Sequence, residues 1–204
     1  MEKLTNIDVE NYLKNGNLTQ PFLDNDYIKE ILKLDIESRL QKGKNASVLD
    51  SLMRFISKNT SYSREKSIQN QKFSRTAEEI WNSKFVSGCT DTGLLFATFS
   101  RQLGIPTTIL HTAQFEWLKK LQNNEDYSIH SGHTFCECFF EDEWILIDPT
   151  AGKIMPTYDP EKIVLDYQLG ESNTFIPYFR GLDMEKKMTT QEHNRIMDEE
   201  CSKL

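Results

Sequence analysis

One stretch of the chain decides the expected fold: residues 87–106, which read SGCTDTGLLFATFSRQLGIP. Its apolar side chains cover most of the circumference of a helix from Thr90 to Leu103, and a helix of that kind is buried. Gly104 and Pro106 then supply the usual signals for the end of a helix. The stretch therefore predicts a buried central helix with a cysteine, Cys89, at its start.

The position of Cys89 at a helix start favours a reactive sulfur. Unpaired backbone N–H groups and the positive end of the helix dipole stabilise the thiolate and so lower a cysteine pKa. Gly88 would let the backbone turn tightly and leave room for a substrate carbonyl, and the Cys89 amide would be free to bind an oxyanion. Cys89 is thus a candidate nucleophile, although a lone cysteine is more often a core residue.

A second stretch, residues 132–150, reads GHTFCECFFEDEWILIDPT and has the pattern of a β-hairpin. Two strand-like runs are divided by an acidic turn; the runs and the turn are His133 to Phe140, Trp144 to Asp148 and Glu141-Asp142-Glu143. Pro149 ends the second run because proline cannot donate to the ladder.

The length of this turn decides whether His133 and Asp148 meet. In a two-residue turn Phe140 faces Glu143, and His133 and Asp148 become diagonal neighbours on one face, close enough for a hydrogen bond. A three-residue turn would place them on opposite faces. The two-residue alternative makes His133 a candidate base and Asp148 the residue that orients it.

Five motifs follow one another in the order of a known pattern. They are Gly88-Cys89-Thr90-Asp91, Leu95-Phe96-Ala97, Arg101-Gln102-Leu103-Gly104-Ile105-Pro106, Gly132-His133-Thr134-Phe135 and Trp144-Ile145-Leu146-Ile147-Asp148-Pro149-Thr150. Over about residues 74–152 they resemble the transglutaminase-like superfamily, which has a papain-like fold. The resemblance implies an α+β protein with a helical N-terminal part packed on an antiparallel sheet, the nucleophile at the start of a buried central helix, and a Cys89–His133–Asp148 triad.

The chain departs from that pattern at two places. Gly88 directly precedes Cys89, where the family commonly has one residue between them, and Thr134-Phe135 follows His133 in place of Ala-Trp. Both departures leave the triad intact, but they bear on the shape of the substrate groove. Trp81 is a candidate for the second oxyanion donor, although a tryptophan of this kind is more often part of the core.

The rest of the chain is expected to form one domain over residues 1–204, with a helical N-terminal part (1–73), a catalytic core (74–152) and a C-terminal extension (153–204). Apolar spacing predicts two amphipathic helices in the N-terminal part. The predicted elements outside the core motifs are helices at Tyr27–Ile36 and Val48–Ile56, a Ser47 cap, a loop at 60–72, a helix around Ser74–Asn82, strands at Thr107–Leu110 and near Lys162–Tyr167, and a helix from Thr190. The polar segment Thr112–Ser131 is either a lid or groove wall, or a packing insertion.

Several single residues carry weaker expectations. Asp91 is expected to stabilise the first turn of the helix, and Arg101 to be an ion-paired or solvated residue near its end. No partner is apparent from the sequence for His111, His130 and His193. Cys136 and Cys138 are expected in the core; a zinc site would need these two with His130 or Cys201.

Composition limits the classes of function. Lys+Arg 24 against Asp+Glu 31 gives a net charge of −7, which disfavours nucleic acid as a partner. No apolar run is long enough for a membrane span, no secretory signal is present, and four cysteines are too few for a disulfide framework. The sequence therefore predicts a cytoplasmic protein without a membrane, nucleic-acid or cofactor partner.

These features together predict a cysteine-dependent acyl-transfer enzyme: a protease, peptidase, amidase or transglutaminase that acts on an amide or ester carbonyl of a peptide or protein substrate. No calcium-binding pattern is visible and the chain is small, which favours hydrolysis or another, unassigned acyl transfer over calcium-dependent crosslinking. Two alternatives stay open. One is a non-catalytic protein-binding module that retains the transglutaminase-like fold, and the other is a metal-binding or redox module built on Cys136 and Cys138.

Overall fold

A computed structural model describes residues 9–62, 72–125, 129–162, 164–169 and 172–204. The helices in these ranges are a 3-10 helix at Val9–Leu13 and α1 (Asn25–Leu40), α2 (Val48–Asn59), α3 (Ala77–Ser83), α4 (Cys89–Gln102), α5 (Phe115–Gln122) and α6 (Thr190–Cys201). The strands are β1 (Ser61–Tyr62), β2 (Phe85–Val86), β3 (Thr107–Gln114), β4 (Gly132–Phe140), β5 (Glu143–Asp148), β6 (Lys153–Met155), β7 (Leu165–Leu169) and β8 (Ser172–Gly181).

Six of the strands form one antiparallel sheet in the order β6-β5-β4-β3-β8-β7, and β1 pairs with β2 in a short parallel ladder. The expected α+β class, with a helical N-terminal part packed on an antiparallel sheet, is confirmed. In the part of the chain that the structure describes, no helix is both long and apolar enough to cross a membrane.

Helix α4 lies between the N-terminal helices and one face of the sheet. Buried side chains of α1, α2, α3 and α4 form one apolar cluster, and the sheet contributes to it through Ile109, Cys136, Cys138 and Ile147. Ile109 faces Cys136, and Cys136 faces Ile147, so these side chains form a cross-strand row beneath α4. The central helix is buried because it has apolar neighbours on both sides, as its sequence predicts.

Two smaller clusters complete the packing. On the other face of the sheet, residues of β3, β4, β5, β7 and β8 pack together: Leu110, Phe135, Leu146, Leu165, Tyr167 and Phe175. Helices α5 and α6 pack against β3 and β8 in a third cluster: Ala113, Trp117, Leu118, Ile176, Tyr178, Met197 and Cys201. Residues 153–204 therefore supply three strands of the main sheet as well as α6.

The structure extends or corrects several predicted elements. The Ser47 cap is confirmed, since its side chain accepts a hydrogen bond from the Asp50 N–H. Strand β3 continues to Gln114, and the segment predicted as a polar excursion begins with that strand and then forms α5. Strand β8 was not predicted, although it pairs with β3 inside the sheet. Of the predicted loop at 60–72, residues 63–71 lie outside the described ranges, and Ser61–Tyr62 form β1.

Arg101 is neither ion-paired at the surface nor solvated, so that expectation is wrong. Its side chain is buried and donates to the carbonyl of Thr107, the hydroxyl of Thr19 and the carbonyl of Leu182. Burial lowers the pKa of Arg101 to about 10, against smaller opposing effects of Cys136 and Asp183. Arg101 thus joins the end of α4 to segments from both ends of the chain.

Glu137 and Arg180 form a buried ion pair between β4 and β8. The guanidinium donates two hydrogen bonds of 2.7 Å to the carboxylate, which also accepts from Thr108 and Tyr158. Both charged side chains are almost fully buried. Removing only the cation would leave a buried carboxylate without its counter-charge.

We expect Arg180→Met to lower the free energy of unfolding by about 3–5 kcal/mol, because the buried Glu137 carboxylate loses its counter-ion. Arg195→Met is the matched control, since Arg195 pairs with Glu199 at the exposed surface of α6; its effect should stay within about 0.5 kcal/mol. Urea unfolding measures both variants. Equal stability of the two would contradict the assignment of Arg180 as a structural ion.

Candidate active site

Cys89 is the first residue of α4, as the sequence predicts. Gly88 is the N-cap residue, and because it is glycine it has no side chain to bind the first N–H groups of the helix. Its backbone is extended rather than tightly turned, which corrects the expected turn. Among the described residues, a Cβ at this position would meet only Cε of Lys72, 3.9 Å away, and these residues leave room beside Cys89. The expected role of Gly88 in leaving room beside the sulfur therefore remains, on different backbone geometry.

The segment before Cys89 is fixed by the side chain of Asp91. One carboxylate oxygen, Oδ2, accepts hydrogen bonds from the N–H and the hydroxyl of Ser87, each at 2.6 Å, and from Arg75 at 2.5 Å. Asp91 is buried, and Arg75 also packs over the ring of Phe85. Asp91 thus does more than stabilise the first helical turn: it ties the approach to Cys89 to the start of α3.

The start of α4 lies very close to β4. A Cβ at Gly93 would lie 3.0 Å from Cγ2 of Thr134, and the Cys136 thiol donates to the Gly93 carbonyl at 3.6 Å. Glycine permits this approach because it has no side chain between the helix and the strand. The close contact places Cys89 beside residues 133 and 134 of β4.

The hairpin has the register of the two-residue turn. Phe140 faces Glu143 and Cys136 faces Ile147, which makes His133 and Asp148 diagonal neighbours on one face. Nε2 of His133 lies 2.9 Å from Oδ2 of Asp148. The sequence argument from turn length is therefore confirmed for this pair of side chains.

Asp148 is held in place by several donors. Its Oδ1 accepts from the backbone N–H groups of Thr150 and Ala151, and its Oδ2 accepts from the hydroxyl of Tyr167 at 2.7 Å. Burial raises the pKa of Asp148, but the hydrogen bond and charge of His133 and the other donors outweigh it, and the net pKa is lowered. A fixed, ionised carboxylate thus faces the imidazole.

His133 contacts both candidate partners. Burial lowers its pKa, but hydrogen bonds and charges of Asp148 and Cys89 outweigh burial and raise the pKa to about 10. Because Nε2 faces the carboxylate, Nδ1 is the ring nitrogen left for the sulfur. The structure therefore brings Cys89, His133 and Asp148 together in one row.

The electrostatics distinguish Cys89 from the other three cysteines. Burial acts to raise its pKa, but hydrogen bonds and charge from His133, with hydrogen bonds from Thr134, lower it overall. Burial raises the pKa of Cys136 and takes those of Cys138 and Cys201 to about 12. Cys89 is also the only one of the four that is not fully buried. These conditions favour a thiolate at Cys89 alone.

A pocket of about 320 Å³ opens beside Cys89. All four histidines of the chain line it, and α6 forms one wall through Thr190, His193, Asn194 and Met197. Thr112, Ile129 and His130 of the segment Thr112–Ser131 also line the pocket, whereas α5 of the same segment packs in the third cluster. The segment therefore contributes both to the pocket lining and to packing, and its role as a lid or a wall of a substrate groove stays a prediction.

The other histidines have partners that sequence reasoning missed. His111 Nδ1 lies 3.1 Å from the Thr134 hydroxyl, His193 stacks on Phe73 at 3.6 Å, and His130 contacts Asp198 at 2.9 Å. Burial lowers the pKa of His111 to about 3 and that of His193 to about 4, so both are neutral. No sequence signal pointed to these contacts, because each joins residues far apart in the chain.

Trp81 is not among the described residues that line the pocket beside Cys89. Its ring is buried and packs against the rings of Phe22, Phe55 and Phe99. The suggestion that Trp81 supplies an oxyanion donor is therefore wrong, and its core role is the correct one.

The residues considered for a zinc site are separated. Cys136 and Cys138 face the helical core, whereas Cys201 belongs to the cluster of α5 and α6. Among the described residues, no three His, Cys, Asp or Glu side chains are grouped so that they could hold a metal ion. Cys201 therefore lies in a different cluster from Cys136 and Cys138, and the zinc site considered from the sequence is not formed by these residues.

No protein-family model matches the chain, and no curated protein matches it. Among solved structures, the chain is similar to the crystal structure of a candidate cysteine protease from Cytophaga hutchinsonii, with 18% sequence identity and a TM-score of 0.47. The similarity covers 88% of this chain and 48% of that one, so the chain spans about half the length of this neighbour. The resemblance to the transglutaminase-like superfamily stays a prediction.

Proposed function

We propose that the protein is a cysteine-dependent acyl-transfer enzyme that acts on an amide or ester carbonyl of a peptide or protein substrate. The observation that carries the proposal is the position of Cys89: this cysteine is not fully buried and lines a pocket together with His133, whose ring contacts the buried Asp148 at 2.9 Å. A nucleophile, a base and an orienting carboxylate in this order are the requirements for acyl transfer.

The proposed reaction begins with attack of the Cys89 thiolate on the carbonyl carbon. The new C–S bond forms as the carbonyl π electrons move to oxygen, which the Cys89 amide is placed to stabilise. Collapse of this intermediate expels the amine or alcohol, which takes a proton from the His133 imidazolium. Water then attacks the thioester, His133 accepts its proton, and the thiolate leaves. Asp148 keeps the ring oriented in both steps.

We favour water as the acyl acceptor, because the sequence lacks a calcium-binding pattern. Transfer to an amine would use the same Cys89, His133 and Asp148 with another nucleophile in the second step. Product analysis in the presence of a primary amine distinguishes the two: free acid indicates hydrolysis, and a new amide indicates transfer.

Alkylation by iodoacetamide tests the nucleophile without a known substrate. At about pH 6 an ordinary thiol is about 0.3% ionised, and the lowered pKa of Cys89 gives this cysteine a larger thiolate fraction. Lower intrinsic nucleophilicity offsets part of this gain, and we expect Cys89 to react roughly 20-fold faster than glutathione. Mass spectrometry should locate one modified cysteine, absent in Cys89→Ala. Equally slow labelling of all four cysteines would overturn the proposal.

A further inference from the structure

A chain of polar groups lies beside Cys89 on the side of the sheet that faces α4. The hydroxyl of Thr134 lies 3.2 Å from the hydroxyl of Thr90 and 3.1 Å from Nδ1 of His111. Thr134 and His111 are both almost fully buried, and they face each other directly across β4 and β3. Buried polar groups in such a row hold one another in fixed orientations.

Thr134 also contacts the nucleophile itself. Thr134 lines the same pocket as Cys89, and hydrogen bonding from its side chain and backbone acts together with His133 to lower the Cys89 pKa. Consecutive residues of a strand point to opposite faces of a sheet. His133 and Thr134 therefore lie on opposite faces of β4, and both line the pocket at Cys89. In the part of the chain that the structure describes, β5 pairs with β4 only as far as Cys136.

We propose that Thr134 is a positioning residue for the Cys89 nucleophile and that His111 orients its hydroxyl. In this arrangement the Thr134 O–H donates to the sulfur, while its oxygen accepts from the Thr90 hydroxyl and from a protonated Nδ1 of neutral His111. The inference rests on the proposed function, since it assigns a second support to the same thiolate.

The other titratable groups near Cys89 are the same in the wild-type protein and in variants at Thr134. They come from every element around the sulfur: Lys72 before α3, Arg75 with Asp91, His130 before β4, His133 on β4, Asp148 on β5, Tyr178 on β8 and His193 on α6. A substitution at Thr134 changes the charge of none of them. A change in the pH dependence of Cys89 alkylation would therefore result from the loss of the Thr134 hydroxyl.

Thr134→Val is the decisive variant, because valine keeps the methyl group that faces Gly93 and replaces only the hydroxyl. The measured quantity is the midpoint pH of Cys89 alkylation by iodoacetamide, followed by mass spectrometry. We expect Thr134→Val to raise this midpoint by about one pH unit, which lowers the alkylation rate on the acid side about tenfold. Thr134→Ser, which restores a hydroxyl, should return the midpoint to the wild-type value.

A second pair of variants tests the role of His111. His111→Asn keeps a donor, since the new amide can donate from near the position of Nδ1, whereas His111→Leu removes the donor. We expect His111→Leu to raise the midpoint in the same direction as Thr134→Val and His111→Asn to raise it less. Combining His111→Leu with Thr134→Val should add little, since both act through one hydroxyl.

The possible results separate this inference from the proposed function. A wild-type midpoint at the value of an ordinary thiol, or one that His133→Ala leaves unchanged, would overturn both. A different result is a midpoint pH of Cys89 alkylation that is low in the wild-type protein, rises in His133→Ala and does not change in Thr134→Val. That result would overturn only the role of Thr134. Circular dichroism and thermal unfolding check each variant, and if Thr134→Val does not fold, Thr134→Ala and Thr134→Ser are compared by the same criterion.

Discussion

Replacing Cys89 by alanine should remove acyl transfer almost completely. With p-nitrophenyl acetate as an acyl donor, we expect the wild-type protein to release nitrophenolate and to carry an acetyl group on Cys89 as an intermediate. The variant has no nucleophile at this position, so no thioester forms, and its rate should be lower by roughly 10³-fold or more. Absorbance measurements and intact-protein mass spectrometry give the rate and the adduct.

Cys201→Ala is the matched control for this experiment. Cys201 is buried in the cluster of α5 and α6 and does not line the described pocket, so its loss removes a cysteine without removing the candidate nucleophile. It should retain the wild-type rate. A wild-type protein no faster than Cys89→Ala, on esters and on peptide amides alike, would instead indicate a non-catalytic binding module.

Local patterns in the sequence predicted a helix start at Cys89 and the contact of His133 with Asp148. The apolar circumference of α4 predicts a buried helix directly behind Cys89, and the structure has this helix begin at Cys89. The acidic turn at Glu141-Asp142 fixes the register of β4 and β5, and the register places His133 beside Asp148. Each inference used only residues that are close together in the chain.

The surroundings of that row depend on pairings between distant segments. Tyr167 donates to Asp148 from β7, and α6 forms a wall of the pocket, yet nothing in residues 153–204 alone indicates which strands or helices they meet. Strand β8 was missed for the same reason: its place in the sheet is set by pairing with β3.

Arg101 is a residue whose surroundings could not be predicted from the sequence. Near the end of a helix, a charged residue is ordinarily solvated or ion-paired. Here Thr19 and Leu182, from opposite ends of the chain, accept its hydrogen bonds and bury it. Only the folded arrangement brings these acceptors together, so a residue-by-residue analysis of α4 cannot detect them.

The rate of acyl transfer should depend strongly on pH. The direction of this dependence follows from the lowered pKa of Cys89 and the raised pKa of His133. The lowered pKa of Cys89 places thiolate formation below the ordinary thiol range, and the raised pKa of His133, about 10, keeps the ring protonated above neutrality. Acyl transfer should therefore rise with pH as Cys89 ionises, remain level, and fall as His133 loses its proton near pH 10.

His133→Ala should lower the acyl-transfer rate by roughly 10²- to 10⁴-fold, because it removes the proton donor and acceptor. It also removes the charge and hydrogen bond that oppose burial at Cys89, so the acid limb of the alkylation profile should move to higher pH. Asp148→Asn keeps the shape of the carboxylate but removes its charge. It should move the alkaline limb of the wild-type profile to lower pH, since Asp148 helps to raise the pKa of His133.

Tyr167→Phe separates the pairing of His133 with Asp148 from the general polarity of the site. It deletes one hydrogen bond to Oδ2 of Asp148 and leaves the contact of 2.9 Å between Nε2 and that oxygen available. We expect a much smaller change in rate than for Asp148→Asn. If Asp148→Asn and Tyr167→Phe had equal effects, the carboxylate charge would not be what keeps His133 protonated, and the proposed role of Asp148 would be wrong.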